Sequence, residues 1–334
     1  MRLFTEIEPA SYEKIQELVQ EGRYDSVEQF LRVAAQNQLA IERSEGDDEQ
    51  TTSNPEPELE KPEFHWGYSP PQNIPTRPAF NDDRDEILLF SQYYRFFPLK
   101  CVLYKLAEVT SEHGGSVPLA EARTYVAETI WPIREAVVEW EKENDIKKQN
   151  RKSTGFPKDK DQSMMRYIDH YLGKVKTQKG RPAGFGHDLG YISFQDTGSD
   201  WEVQLTPAGS RFVKITNPLL ENGPTAPTLS DQEQAFIIST IQENLHEEYH
   251  FMDYVYDILF TSEGSYTDHL DAFREFLEES PGASDDPSDN SVRSTVGGAI
   301  SRMVELGVLE RGRRRGWYDA KRHPDEYETL SVDA

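Results

Sequence analysis

The sequence predicts a mainly helical protein with small β-hairpins, in which a short N-terminal strand-helix-helix segment is followed by two larger units that each run from helices into a hairpin. Three observations predict it. Apolar residues recur at helical spacing over most of the 334 residues, short β-rich runs flank Gly-containing turns in two places, and Pro-rich breaks fall at 44–86 and 217–229. A chain of this length can bury two or three separate cores.

The first 43 residues form the first segment. Arg2 to Glu8 alternates, placing Leu3, Thr5 and Ile7 on one face of a strand. Pro9 and Ser11 introduce a helix carrying Tyr12, Ile15, Leu18 and Val19, which ends at Gly22. Ser26 with Gln29 reads as a capping box opening a second helix with Val27, Phe30, Leu31 and Ala34 inward. On these residues, 1–43 resembles the ribbon-helix-helix (CopG/Arc-like) family, which implies an intertwined dimer with paired strands. The outward strand positions are Arg2, Phe4, Glu6 and Glu8. Carboxylates there repel phosphate, so dimerisation ranks ahead of DNA reading for this segment. Residues 44–86, with seven prolines and many acids, read as a disordered acidic linker. Its aromatic island, Phe64 to Tyr68, is expected to dock on the protein's own domain.

Residues 87–216 form the first larger unit. Its expected helices are an apolar stretch from Ile87 closing near Gly114, Leu119 to Thr129, Ile133 to Trp140 after a break at Trp131-Pro132, and Ser163 to Val175. Asn144 to Asp161 reads as an exposed basic loop, and two β-runs meet at the turn Asp196 to Asp200. After the break at 217–229, the second unit, 230–323, repeats the order. A long or kinked helix spans Ser230 to Phe260, another runs from Tyr266 to Glu278, and Ser291 caps a third. That third helix has Val296, Ile300, Met303 and Val304 inward and Arg293, Ser294, Ser301 and Arg302 outward. Gly312 and Gly316 then bracket three arginines between strands. This stretch resembles the recognition helix and wing of winged helix-turn-helix DNA-binding domains, and the helix-to-hairpin order of 87–216 is similar. The resemblance implies two winged-helix domains, with 324–334 as an acidic tail.

Charge sharpens this. The chain has 36 Lys and Arg against 60 Asp and Glu, a net charge of -24. Two stretches run against it: Lys142 to Arg181 has 12 basic and 5 acidic residues, and Asn290 to His323 has 8 and 3. Local positive islands in a repelling background concentrate attraction for polyanions on chosen faces. The acidic excess resembles the compositional bias of extreme halophiles, whose DNA contacts must survive high salt. Candidate DNA contacts are therefore Arg293, Ser294, Ser301, Arg302, Arg313, Arg314 and Arg315 in the second unit, and Arg166, Lys174, Lys176, Lys179 and Arg181 in the first.

The competing motif is His246-Glu-Glu-Tyr-His250, the H-E-x-x-H spacing of zinc hydrolases. Composition alone yields such a match in roughly 2% of comparable chains, and His246, His250, Asp253 and Asp257 fall on one polar stripe beside Ile241, Leu245, Tyr249, Met252 and Leu259. The stripe reads as the solvated edge of an amphipathic helix. Cys101 is alone, there is no phosphate-binding Gly-rich loop with a following Lys, and no G-x-S-x-G. No apolar run is long enough to span a membrane. The expectation is a cytoplasmic, non-enzymatic protein without cofactor or metal that binds double-stranded DNA, dimerises through its N-terminal segment and regulates transcription. A plasmid or viral replication or partition factor, a protein-interaction scaffold and a zinc hydrolase are the alternatives.

Overall fold

The central element is a helix buried on nearly all sides, α1 (Phe96–His113), in which Phe96, Phe97, Leu99, Val102, Leu103, Leu106 and Ala107 are fully enclosed. Gly114, at φ 69°, closes it in the left-handed conformation that glycine tolerates best. The computed structural model describes residues 68–78, 88–176, 180–280, 287–314 and 316–327, together with Tyr12, Gln16, Ser26 and Val27. The strand-helix-helix expectation for 1–43 thus lies outside the described residues, apart from these four. Of them, Tyr12, Gln16 and Val27 are helical.

Two units make up the chain, residues 1–59 with 176–181, and residues 60–175 with 182–334. In the body formed by 60–175 and 182–334, β1 (Val117–Pro118) follows α1 and leads into α2 (Leu119–Glu143). The expected break at Pro132 does not occur, and α2 runs straight through it. An interior proline costs about 3 kcal/mol, but Val126, Ile130, Ile133, Val137 and Trp140 form one continuous buried stripe across it. Burying five large side chains, each worth about 1.5–3 kcal/mol, outweighs the lost hydrogen bond. Next come α3 (Gln162–Tyr171), a two-stranded sheet of β2 (Lys174–Lys176) and β3 (Arg181–Ala183), and the single turn α4 (Phe185–Asp188). The hairpin of β4 (Ile192–Asp196) and β5 (Trp201–Leu205) has the expected turn, with Asp196 facing Trp201 across it. β1 pairs antiparallel with the other edge of β5, giving the sheet order β1-β5-β4.

Part of the expected linker is structured. Within 68–78, Thr76 bridges Leu205 in parallel and Arg77 N–H donates to the Leu205 carbonyl at 3.0 Å. Ile74 is buried, and the Tyr68 hydroxyl donates to the carbonyls of Val213 and Ile215. Proline cannot complete a ladder, yet a Pro-rich segment can still cover a sheet edge where only some of its N–H groups are needed.

After α5 (Pro207–Lys214), the expected break at 217–229 is also packed. It contains α6 (Pro218–Asn222) and buries Asn217, Leu219, Leu220 and Leu229. The expected kinked helix is two helices, α7 (Asp231–Asn244) and α8 (His246–Thr261), with the bend at Leu245. A Ser230–Glu233 capping box opens α7. α9 (Leu270–Glu279) and α10 (Asp289–Glu305) follow, and α10 packs on both α8 and α9. Its cap is Ser288, three residues before the expected Ser291: the Ser288 side chain accepts the Ser291 N–H at 3.3 Å. β6 (Leu309–Arg311) and β7 (Tyr318–Ala320) make the last hairpin. Order continues past the expected boundary at His323, because Tyr327 is buried and donates its hydroxyl to the Leu306 carbonyl at 2.6 Å.

Candidate nucleic-acid interface

Turn chemistry builds the hairpin tip. β6 and β7 pair in the register Leu309–Ala320, Glu310–Asp319, Arg311–Tyr318. Gly312 N–H bonds to the Trp317 carbonyl at 2.9 Å, and Gly316, at φ 73°, turns the chain back. Tyr266, which lies between α8 and α9, donates its N–H to the Gly316 carbonyl at 2.9 Å, so the returning arm is held from a third segment. Arg313 and Arg314 are exposed at this tip, with the Arg314 guanidinium 5.5 Å from the centre of the Trp317 ring. Arg315 lies outside the described residues.

α10 has three faces. Val296, Ile300 and Met303 are buried as expected against α8 and α9, joined by Val292, whereas Val304, also expected inward, is not fully buried. Arg293 is exposed, and Ser294, Gly297, Ser301 and Val304 are half-buried along one open stripe. The third face carries Gly298, Arg302 and Glu305, spaced by four and three residues so that they stack along the helix. It packs on the segment leading into α1. Arg302, expected at the DNA surface, is 0% exposed. Its Nη2 and Nε donate to Glu248 Oε1 at 2.6 and 3.1 Å, and its Nη1 donates to the Tyr93 carbonyl at 3.2 Å. Arg302 is therefore not a nucleic-acid contact. A helix packed on two sides has two buried faces, and a cation off the apolar stripe reads as outward unless the second packing partner is known.

The same face closes the start of α1. Glu305 accepts the N–H groups of Phe96 and Phe97 at 2.5 and 3.3 Å, satisfying donors that a helix N-terminus leaves unpaired. Burial pushes the Glu305 carboxyl above its usual range, with Arg95 opposing. Burial likewise raises the Glu248 carboxyl, and Arg302 opposes it.

The adjacent glycines of α10 divide between these faces. A Cβ on Gly298 would stand 2.5 Å from the Ser91 carbonyl oxygen, whereas one on Gly297 would meet nothing within 4 Å. Gly298→Ala is expected to destabilise by about 1–3 kcal/mol, since backbone must move. Gly297→Ala is expected to stabilise by up to about 1 kcal/mol, the helix-propensity difference. Urea midpoints measure both, and equal effects at the two positions would contradict this packing.

Of the first larger unit's candidates, Lys174, Lys176 and Arg181 lie on β2 and β3, with Arg166 on the preceding helix. Arg166 is half-buried on α3, and Lys174 Nζ lies 3.5 Å from Asp169, which also binds Arg123 at 2.6 Å. Lys176 and Arg181 are exposed, and Lys179 lies outside the described residues. The β4-β5 tip is acidic: Asp196 accepts Gly198 N–H at 2.7 Å, and Asp200 closes the turn.

In the motif on α8, Glu248 is the buried partner of Arg302, while His246 and His250 are exposed. No group of three or more metal-ligating side chains occurs among the described residues. Comparison with protein-family models, with curated proteins and with solved structures gives no match. Among the described residues no helix is long and apolar enough to cross a membrane.

The sequence did not mark Arg95, Arg151, Lys152 and Lys321 as site residues. They surround a cleft with Arg311, and the only signal for it is that the two basic islands supply four of the five.

Proposed function

We propose that the chain binds double-stranded DNA and serves as a transcriptional regulator, with the second unit's hairpin tip and the open face of α10 as its contact surface. The observation that carries this reading is the exposed pair Arg313 and Arg314 on a braced hairpin that directly follows a helix presenting Arg293, Ser294 and Ser301, in a chain of net charge -24. Three packed helices followed by a hairpin are the winged-helix order. The first larger unit supports the same reading with α1, β1, α2 and α3 ahead of a sheet ordered β1-β5-β4. Its own tip carries aspartates, so in this reading it braces the second unit, and Arg166, Lys174, Lys176 and Arg181 are secondary contacts. Residues 1–43 supply the dimer contact. No enzymatic step, metal or cofactor enters.

Replacing Arg313, Arg314 and Arg315 with Ser tests it. Retention of a short duplex library is expected to weaken across all sequences, and the slope of log affinity against log salt is expected to fall by about 3, roughly one for each phosphate that is no longer neutralised. Unchanged retention and slope would reject the reading.

A further inference from the structure

The two basic islands, far apart in sequence, meet at one concavity. A cleft of about 430 Å³ is bounded by Gln149 to Lys152 from the first island, by Arg311 and Lys321 from the second, and by Arg95 at the start of α1. Its apolar floor comes from Leu229, Val304 and Leu309, and Thr228 and Gln234 add polar atoms. A volume of this size with an apolar floor and a few convergent polar groups suits a small ligand.

Its cations lack close ion pairs among the described residues. None of Arg95, Arg151, Lys152, Arg311 and Lys321 has a carboxylate oxygen within 4.0 Å among the described residues, whereas Lys100, Lys105, Arg123, Arg274 and Arg302 each do. Two carboxylates reach the cleft, and one of them, Glu305, is already engaged by the N–H groups of Phe96 and Phe97. Glu310, with Glu305 beside Arg95 and Glu141 acting on Lys152, stands against five cations. The cations around this hollow thus outnumber the carboxylates that line it, in a chain with 60 acidic residues. Desolvation lowers the Arg311 guanidinium below its ordinary range, with Tyr318 opposing and the charge of Arg95 adding to the shift. Lys152 is fixed by the carbonyls of Pro224 and Ala226, both at 2.5 Å, so it stands at the rim in one position. Arg151, Arg311 and Lys321 are exposed and within reach of phosphate oxygens entering the cleft.

We infer that this cleft is a binding site for phosphate groups, carried by a small molecule or by a nucleic-acid backbone, at the base of the β6-β7 hairpin. The site is separate from the hairpin tip. A ligand seated between Arg311 and Arg151 would connect the root of the hairpin to the loop before α3.

Calorimetric titration of the full chain with pyrophosphate and with ATP tests the inference. Saturable binding is expected, and Arg151→Ser with Arg311→Ser is expected to weaken it at least about tenfold through the loss of charge-assisted hydrogen bonds. Lys147→Ser with Lys148→Ser removes equal charge from exposed positions outside the cleft and is expected to leave binding unchanged. Competition by a short duplex assigns the phosphate to a nucleic-acid backbone, and its absence assigns it to a small molecule. No saturable binding of either probe, or equal loss in both double variants, overturns the site. The Arg313-Arg314-Arg315 variant keeps this result distinct from the DNA reading, because it should bind pyrophosphate normally while losing duplex.

Discussion

Arg302→Ala is expected to lower the unfolding free energy by about 3–5 kcal/mol, although the residue was legible in the sequence only as a surface cation. The loss comes from what remains behind. Glu248 would keep the Leu89 N–H at 2.9 Å but lose both guanidinium contacts in a fully buried position, and the Tyr93 carbonyl would lose its donor. An unpaired buried carboxylate and an unsatisfied carbonyl carry penalties that a surface arginine never would. Folded domains have only about 5–15 kcal/mol in hand, so the variant should sit near the edge of folding. Arg302→Lys should recover only part, because a single ammonium cannot reproduce a fork reaching Glu248 and Tyr93 together. Pairing Arg302→Met with Glu248→Leu should recover most of the loss, since removing both charges leaves neither stranded. Guanidinium or urea denaturation of the three variants gives the measurement. A cost under about 1 kcal/mol for Arg302→Ala would place the side chain in solvent and undo this account.

Elements set by local rules were legible in the sequence. The helix start at Ser230, the Gly114 stop, the turn at 196–200 and the hairpin around Gly312 and Gly316 each depend on a few adjacent residues, and each was read correctly. What sequence reading missed depends on partners distant in the chain. Pro132 looked like a break because its cost is local while the buried stripe that outweighs it is tertiary. The Pro-rich 217–229 looked like a linker because its three buried leucines, Leu219, Leu220 and Leu229, are too few to show a period. Arg302 is the sharpest case, since its partners Tyr93 and Glu248 lie 209 and 54 residues away. Cationic clustering did carry information of another kind. It could not say which arginine points outward, yet residues from both islands border one cleft.

Lys100→Met is the second substitution expected to cost about 3–5 kcal/mol, for a related reason. Lys100 is fully buried in α1, 2.9 Å from Glu233 at the start of α7. Its ammonium also donates to the carbonyls of Phe212 and, at 2.7 Å, Ile215, and lies over the Phe212 ring. Methionine fills the space and leaves those carbonyls without this donor, while Glu233 keeps only the Asn217 amide and the Ser230 contacts. Adding Glu233→Gln should return part of the loss by removing the stranded charge. Burial lowers the Lys100 pKa below its ordinary 10.5, so the unfolded chain holds that proton more tightly. Stability from this group therefore rises with pH up to about 10.5 and falls as the pH drops through the lower folded value; the wild type minus Lys100→Met difference should show that slope. Lys100 with Glu233, Arg302 with Tyr93, and Glu305 with Phe96 each tie 87–216 to 230–323 through buried atoms. Two domains joined by a tether would melt separately, whereas these ties require one calorimetric transition, shifted as a whole by Lys100→Met. Two resolved transitions, or one half of the chain melting early while the other is unmoved, would show that the buried pairs do not couple the halves.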